Sequence, residues 1–145
     1  MPTNAYDIPR WHKDGTFFVD SNNLQSKFVT VLKGPGTLFI KKSKLVNEIY
    51  DKNINDMRKK INKSIPELEN DIRNSFRKKL AVKFKKYKNQ IKTKQGTIFY
   101  TGTNTNNNTN GLIHSEPNMD QPRFFISILP GNVSELNGLI KRWEI

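Results

Sequence analysis

Residues Ser64 to Lys94 read SIPELENDIRNSFRKKLAVKFKKYKNQIKTK, and the fold class turns on this stretch. Its apolar residues fall at Ile65, Leu68, Ile72, Phe76, Leu80, Phe84, Tyr87 and Ile91. Steps of three and four line one face of a helix. Ser64 with Glu67 three residues later matches a capping box, and Pro66 sits where a first turn tolerates proline. The spacing predicts a helix over 65–93, about 43 Å long at the usual helical rise. A rod of that length projects from a domain of this size or packs on a neighbouring subunit. Glu67, Glu69 and Asp71 precede a run of cations, an order that suits the helix dipole at both ends.

Working outward, Val46, Tyr50, Ile54, Met57 and Ile61 recur at helical spacing and predict an earlier helix over 43–62. The chain then kinks or reverses at Ser64. Further upstream, 16–20 reads as a strand, and 27–32 and 37–41 flank Lys33-Gly34-Pro35-Gly36. Pro35 fixes one turn φ and Gly36 is expected to supply a positive one, so a hairpin is predicted. The alternative is that Leu24 to Leu32 begins as helix. Downstream, Gln95-Gly96 breaks the helical pattern and 97–101 reads as a strand. Thr103 to Asn110 contains only Thr and Asn, which gives a mobile loop at about 103–111. Residues 123–129 form another strand, closed by Pro130-Gly131. Asn132 and Glu135 then cap a helix over 133–143 whose apolar face is Val133, Leu136, Leu139, Ile140 and Trp143.

Strands followed by helices favour an α+β fold over a βαβ one. The expectation is a single domain, 1–145: a small antiparallel sheet, made of an N-terminal hairpin and later strands, packed on the long basic two-helix segment, with a short C-terminal helix. Its core is expected from the phenylalanines, the Ile and Leu stripe and Trp143.

The 145-residue chain has 25 Lys plus Arg against 13 Asp plus Glu, a net charge of +12. Lys41 to Gln95 holds 18 basic and 6 acidic residues, and the rest of the chain holds 7 of each, so the whole excess lies in one segment. Lysine, asparagine and isoleucine are abundant and alanine is rare, the bias of an AT-rich genome. Part of the lysine excess is therefore mutational. Arg73 to Lys94, however, has ten basic residues and no acid, a clustering that codon bias does not explain. Arg73, Arg77, Lys78, Lys79, Lys83, Lys85, Lys86, Lys88 and Lys92 are the candidate surface for a polyanion or a protein partner. Base-specific readout is not expected, because arginines are few.

The absence of cysteine excludes disulfides, thiolate metal sites and a cysteine nucleophile. No secretory signal pattern opens the chain and no apolar run is long enough to span a bilayer, so a cytoplasmically made protein is expected. Membrane binding by the basic helix is not expected, because its apolar stripe is used by the first helix and the sheet. His12 and His114 have no histidine or carboxylate at helical ligand spacing, and a metal site would need partners from distant loops. Asp7, Asp14 and Asp20, near Trp11 and His12, could bind Mg²⁺, but their spacing fits no metal loop. Gly34-Pro35-Gly36 lacks the phosphate-loop pattern and no nucleophile motif is present. The chain is expected to be non-enzymatic, with no catalytic residues, metal or cofactor.

Basic Arg73 to Lys94, then Thr101-Gly102, Leu112 with Ser115, and Arg123-Phe124-Phe125 are similar in order to segments of head-to-tail connector and tail-completion proteins of tailed bacteriophages. The Asn/Thr insertion after Thr101-Gly102 departs from that order. The resemblance implies a structural virion part that forms a homo-oligomer or joins other assembly proteins, with non-specific DNA contact. The alternatives are a sequence-independent nucleic-acid-binding protein and, last of the three, an enzyme with a site dispersed over His12, Asp14 and His114.

Overall fold

The structure, a computed structural model, describes residues 8–15, 17–18, 25–101, 111–117 and 121–143. Six strands and three helices follow in the order β1 (Ser26–Lys33), β2 (Leu38–Ile40), α1 (Lys44–Ile61), α2 (Glu69–Phe84), β3 (Lys88–Gln90), β4 (Gly96–Tyr100), β5 (His114–Ser115), β6 (Phe124–Ile128) and α3 (Val133–Trp143). The fold is α+β. The strands divide between two antiparallel sheets, ordered β4-β1-β6 and β3-β2-β5.

That division corrects the expected hairpin. β1 and β2 do not pair; the chain leaves one sheet and enters the other through Gly34 to Thr37. The positive φ lies at Gly34 (84°) and not at Gly36. Gly36 is needed for a different reason: a Cβ there would sit 1.7 Å from the carbonyl oxygen of Ile91. The Gln90 side chain donates to the Gly36 carbonyl and the Ile91 amide to that of Thr37, both at 3.0 Å, so two backbones pass with no room between them. The strand expected over 16–20 falls mostly outside the described residues, and Phe17 and Phe18 are not in a strand. The loop at 103–111 also lies outside them, apart from Gly111.

α1 begins where Ser43 Oγ accepts the Val46 amide at 3.2 Å, and it buries Val46, Tyr50 and Asn53. The buried Asn53 carboxamide donates to the Phe76 carbonyl of α2. Ser64 does not cap the second helix. Its hydroxyl and amide both bond back to the Ile61 carbonyl and so close α1. Pro66 opens a 3-10 turn, Pro66–Leu68, and the chain reverses so that α2 packs against α1.

α2 stops at Phe84, well short of 93, and is about 24 Å long rather than 43. The helical stripe is real up to that point: Ile72, Phe76, Leu80 and Phe84 are all buried. Beyond it, Tyr87 is half-buried, β3 pairs with β2 from Leu38↔Gln90 to Ile40↔Lys88, and Ile91 packs with Val29 and Phe99. Sheet pairing and burial of Ile91 override a continuous local helical pattern. No part of α2 projects as the expected 43 Å rod would.

The layers follow from the alternation on β2. Leu38 and Ile40 face Val46, Tyr50, Leu80, Phe84, Trp11 and Ile113, while Phe39 faces the opposite way, toward Val29 and Phe99 of the other sheet. The helix pair thus lies on one sheet, and that sheet lies on the other. α3 spans the residues expected, and its cap is reciprocal: Glu135 Oε2 accepts the Asn132 amide and Asn132 Oδ1 accepts the Glu135 amide, each at 2.9 Å. It buries none of its residues, and Trp143, expected in the core, is 67% exposed. Among the described residues no helix is long and apolar enough to cross a membrane.

Candidate functional site

The two sheets leave a polar cleft of about 260 Å³ between them, with His12, Asp14, Lys27, His114, Glu116 and Arg123 around it. His12 lies on extended chain that pairs with β5: the His12 amide donates to the His114 carbonyl and the His114 amide to that of His12, both at 2.9 Å. Directly paired residues share a face, so the rings meet with centroids 4.4 Å apart. Asp14, two residues beyond His12 on extended chain, falls on the same side.

Each ring is held by a carbonyl. His12 Nδ1 lies 2.8 Å from the Arg10 carbonyl oxygen, and His114 Nδ1 lies 2.9 Å from that of Leu112. Both Nε2 atoms turn toward Asp14 Oδ1, at 3.8 Å from His12 and 3.5 Å from His114. The other Asp14 oxygen pairs closely with the Lys27 ammonium. Lys27 rises from the inward face of β1, which normally holds apolar side chains. The ammonium is kept there by Asp14 and by the Phe99 ring, whose centre is 5.1 Å away. The Phe99 ring also lies 5.0 Å from the His114 ring, which is buried.

Burial is the largest single influence on each shifted group of the cleft, but it does not always prevail. It lowers the pKa of His12, helped by the neighbouring His114 and opposed by the Arg10 carbonyl, Glu116 and Asp14. Burial alone would raise the Asp14 carboxyl, but His114 and Lys27 outweigh it and hold that group well below the usual carboxylate range. Glu116 shows the same contest: burial is overcome by its own backbone, by His12 and by Arg10, whose guanidinium lies 3.2 Å from Oε1. Arg123 is lowered by burial against the pull of Glu116. Its guanidinium bonds Thr37 Oγ1 and lies 4.5 Å from the Phe125 ring centre. The cleft therefore combines fixed cations, two carboxylates and two imidazoles, a set able to hold a metal ion or an anionic group.

The sequence-predicted basic residues lie elsewhere and do not form one helical face. Arg73, Arg77, Lys78, Lys79 and Lys83 are on α2, Lys85 and Lys86 are in the turn after it, Lys88 is on β3 and Lys92 follows β3. Some are engaged locally: Arg73 with Glu69, Arg77 with Asn74, and the Lys79 and Lys86 ammonium groups over the rings of Phe76 and Tyr87. Lys83, Lys85 and Lys86 share an open groove of about 720 Å³ with Ile49, Val82 and Tyr87.

Sequence reasoning named His12, Asp14 and His114 together only as a dispersed set and missed that they meet in one cleft. The one local signal was His12 and Asp14 at a two-residue spacing on extended chain. Nothing local points to His114, a hundred residues away. Compared with protein-family models, with curated proteins and with solved structures, the chain matches none.

Proposed function

We propose that the protein is a non-enzymatic structural component of an assembly, completed by association with further copies of itself. The observation that carries this reading is α3. Its amphipathic face of Val133, Leu136, Leu139, Ile140 and Trp143 is well formed and firmly capped, yet none of these residues is buried. Burying such a side chain is worth about 1.5–3 kcal/mol, so an exposed face of this size marks a contact surface.

The outer sheet supports the same reading. Phe28 pairs with Ile98 on one side and Ile128 on the other, which makes an apolar row across three strands, with Ile98 69% and Ile128 54% exposed. β4 and β6 are edge strands of five residues each, Gly-Thr-Ile-Phe-Tyr and Phe-Phe-Ile-Ser-Ile, without a charge or a proline. Strand edges of monomers normally carry such residues to prevent pairing. Uncharged edges in a chain of net charge +12 favour contact between copies at the surfaces where like charge is absent. The phage-connector order of segments is compatible with a virion part, but the long rod that strengthened it ends at Phe84.

Sedimentation velocity of the full chain tests this. The wild type should sediment as a discrete oligomer, and the Leu136→Glu/Ile140→Glu variant as a monomer with an unchanged circular dichroism spectrum. A wild type that stays monomeric across the micromolar range overturns the reading.

The groove of Lys83, Lys85 and Lys86 beside Tyr87 favours a second role, sequence-independent contact with a nucleic-acid backbone. Neutralising three phosphates gives a log–log salt slope of about −2.7 on duplex DNA. Charge reversal of the three lysines should abolish binding; equal binding by that variant would exclude the groove.

A further inference from the structure

We propose that His12, Asp14 and His114 form a binding site for a zinc-type divalent transition-metal ion, with its remaining position open to the cleft. The protons in the site are placed by its neighbours. A carbonyl oxygen only accepts, so the Arg10 and Leu112 carbonyls fix an N–H on Nδ1 of each ring. In the neutral imidazoles Nε2 is then a lone pair on both rings. Two lone pairs and the Asp14 Oδ1 acceptor converge on one point, at 3.5 and 3.8 Å from that oxygen. Three acceptors facing one another repel until a cation lies among them.

The dimensions fit a tetrahedral ion. The three ligand atoms lie within 4.8 Å of one another. Zinc bonds of about 2.0–2.1 Å hold tetrahedral ligands about 3.4 Å apart, whereas octahedral neighbours would be about 2.9 Å apart. The two separations from Asp14, 3.5 and 3.8 Å, are nearer the tetrahedral value, and the ligand atoms, which span up to 4.8 Å, must draw together around the ion as it binds. Two imidazoles and one carboxylate suit zinc and its neighbours, and do not suit Mg²⁺ or Ca²⁺, which prefer oxygen ligands alone.

The surroundings are those of a built site. A metal-bound histidine characteristically donates its second N–H to a carbonyl or carboxylate, and both rings here already do so. Lys27 occupies the other Asp14 oxygen, so the carboxylate presents a single oxygen to the ion. The buried His114 ring is packed against Phe99. Three protein ligands leave a fourth position for water or an anionic group beside Glu116 and Arg123, the open arrangement of non-structural zinc sites. The competing occupant is a proton, which would turn one ring into an imidazolium paired with Asp14.

Isothermal titration of the chelator-treated full chain with Zn²⁺ distinguishes the two. One equivalent should bind, and His12→Gln and Asp14→Asn should each weaken binding by more than about tenfold, since even outer partners of such sites matter on that scale. Substitution with Co²⁺ should give the intense visible bands of a tetrahedral ion. Absence of Zn²⁺ binding, binding unchanged in both variants, or the pale spectrum of octahedral cobalt each overturns the proposal. Should Asp14→Asn fail to fold, His12→Gln decides the matter, because its ring is partly exposed and lies outside the core.

Discussion

The contact between Asp14 and Lys27 gives the most demanding test of the architecture, because it is an ion pair almost wholly withdrawn from solvent. The Lys27 side chain is 11% exposed and that of Asp14 is 14% exposed. An exposed pair would contribute less than about 1 kcal/mol, but breaking a buried one strands a charge and costs about 3–5 kcal/mol. Lys27→Met leaves the Asp14 carboxylate with two imidazoles, one of which can take up a proton in compensation, so the lower end, about 3 kcal/mol, is expected. Asp14→Asn leaves the ammonium over the Phe99 ring, which recovers part of the loss and sets the cost at about 2–3 kcal/mol. The double variant strands no charge. It should lose only about 2 kcal/mol, well below the sum of about 5–6, with a coupling of about 3–4 kcal/mol. Urea unfolding followed by circular dichroism, in the presence of a chelator, measures all four corners of the cycle. Losses that add to within about 0.5 kcal/mol would refute the reasoning and mean that the two groups are independently solvated.

The crossing at Gly36 makes a steric prediction. Gly36→Ala places a methyl group 1.7 Å from a backbone carbonyl that has no flexible side chain to yield, so β3 must separate from β2. Destabilisation of about 2–3 kcal/mol should appear in urea unfolding, together with faster amide exchange at Ile91. Tyr50 makes a pH prediction. Its hydroxyl oxygen accepts the Lys13 amide at 3.2 Å, and burial raises its pKa above that of an exposed phenol, with Asp51 adding to the rise and the Lys13 amide and Arg58 opposing it. The folded state therefore holds this proton more tightly than the unfolded one. The resulting stability is complete below about pH 10, the unfolded phenol value, and is lost as the pH rises through the folded value. Tyr50→Phe should cost about 1 kcal/mol at neutral pH and flatten the alkaline decline; an unchanged alkaline slope would remove Tyr50 as its source.

What could be read in the chain beforehand was whatever local chemistry decides. The helical spacing from Val46 to Ile61 set α1, the Asn132–Glu135 box set α3, and β-branched and aromatic runs set β1, β4 and β6. Several of the failures share one cause, which is competition from residues distant in sequence. Ile91 continues the helical stripe by count, but its burial against Val29 and Phe99 pulls Lys88–Gln90 into a sheet. Trp143 looks like core by composition, yet it stays largely exposed on α3. β3 and β5 are too short and too polar to signal themselves; they exist because β2 offers them two edges. The cleft was hidden for the same reason, since His12 and His114 become neighbours only through the pairing of their backbones.

The two sheets are interleaved along the chain: β1, β4 and β6 build one, and β2, β3 and β5 the other. No single cut separates them into independent halves, and neither sheet can close from one continuous segment. During synthesis the α1–α2 hairpin needs only local contacts and can form early, but Phe28 must wait for Ile128 before the outer sheet is complete. Closure entropy is thus paid late and all at once. A nascent chain halted before β6 would present β1 with an open edge, and truncation between β4 and the end of β6 should remove cooperative folding altogether rather than leave a smaller stable core.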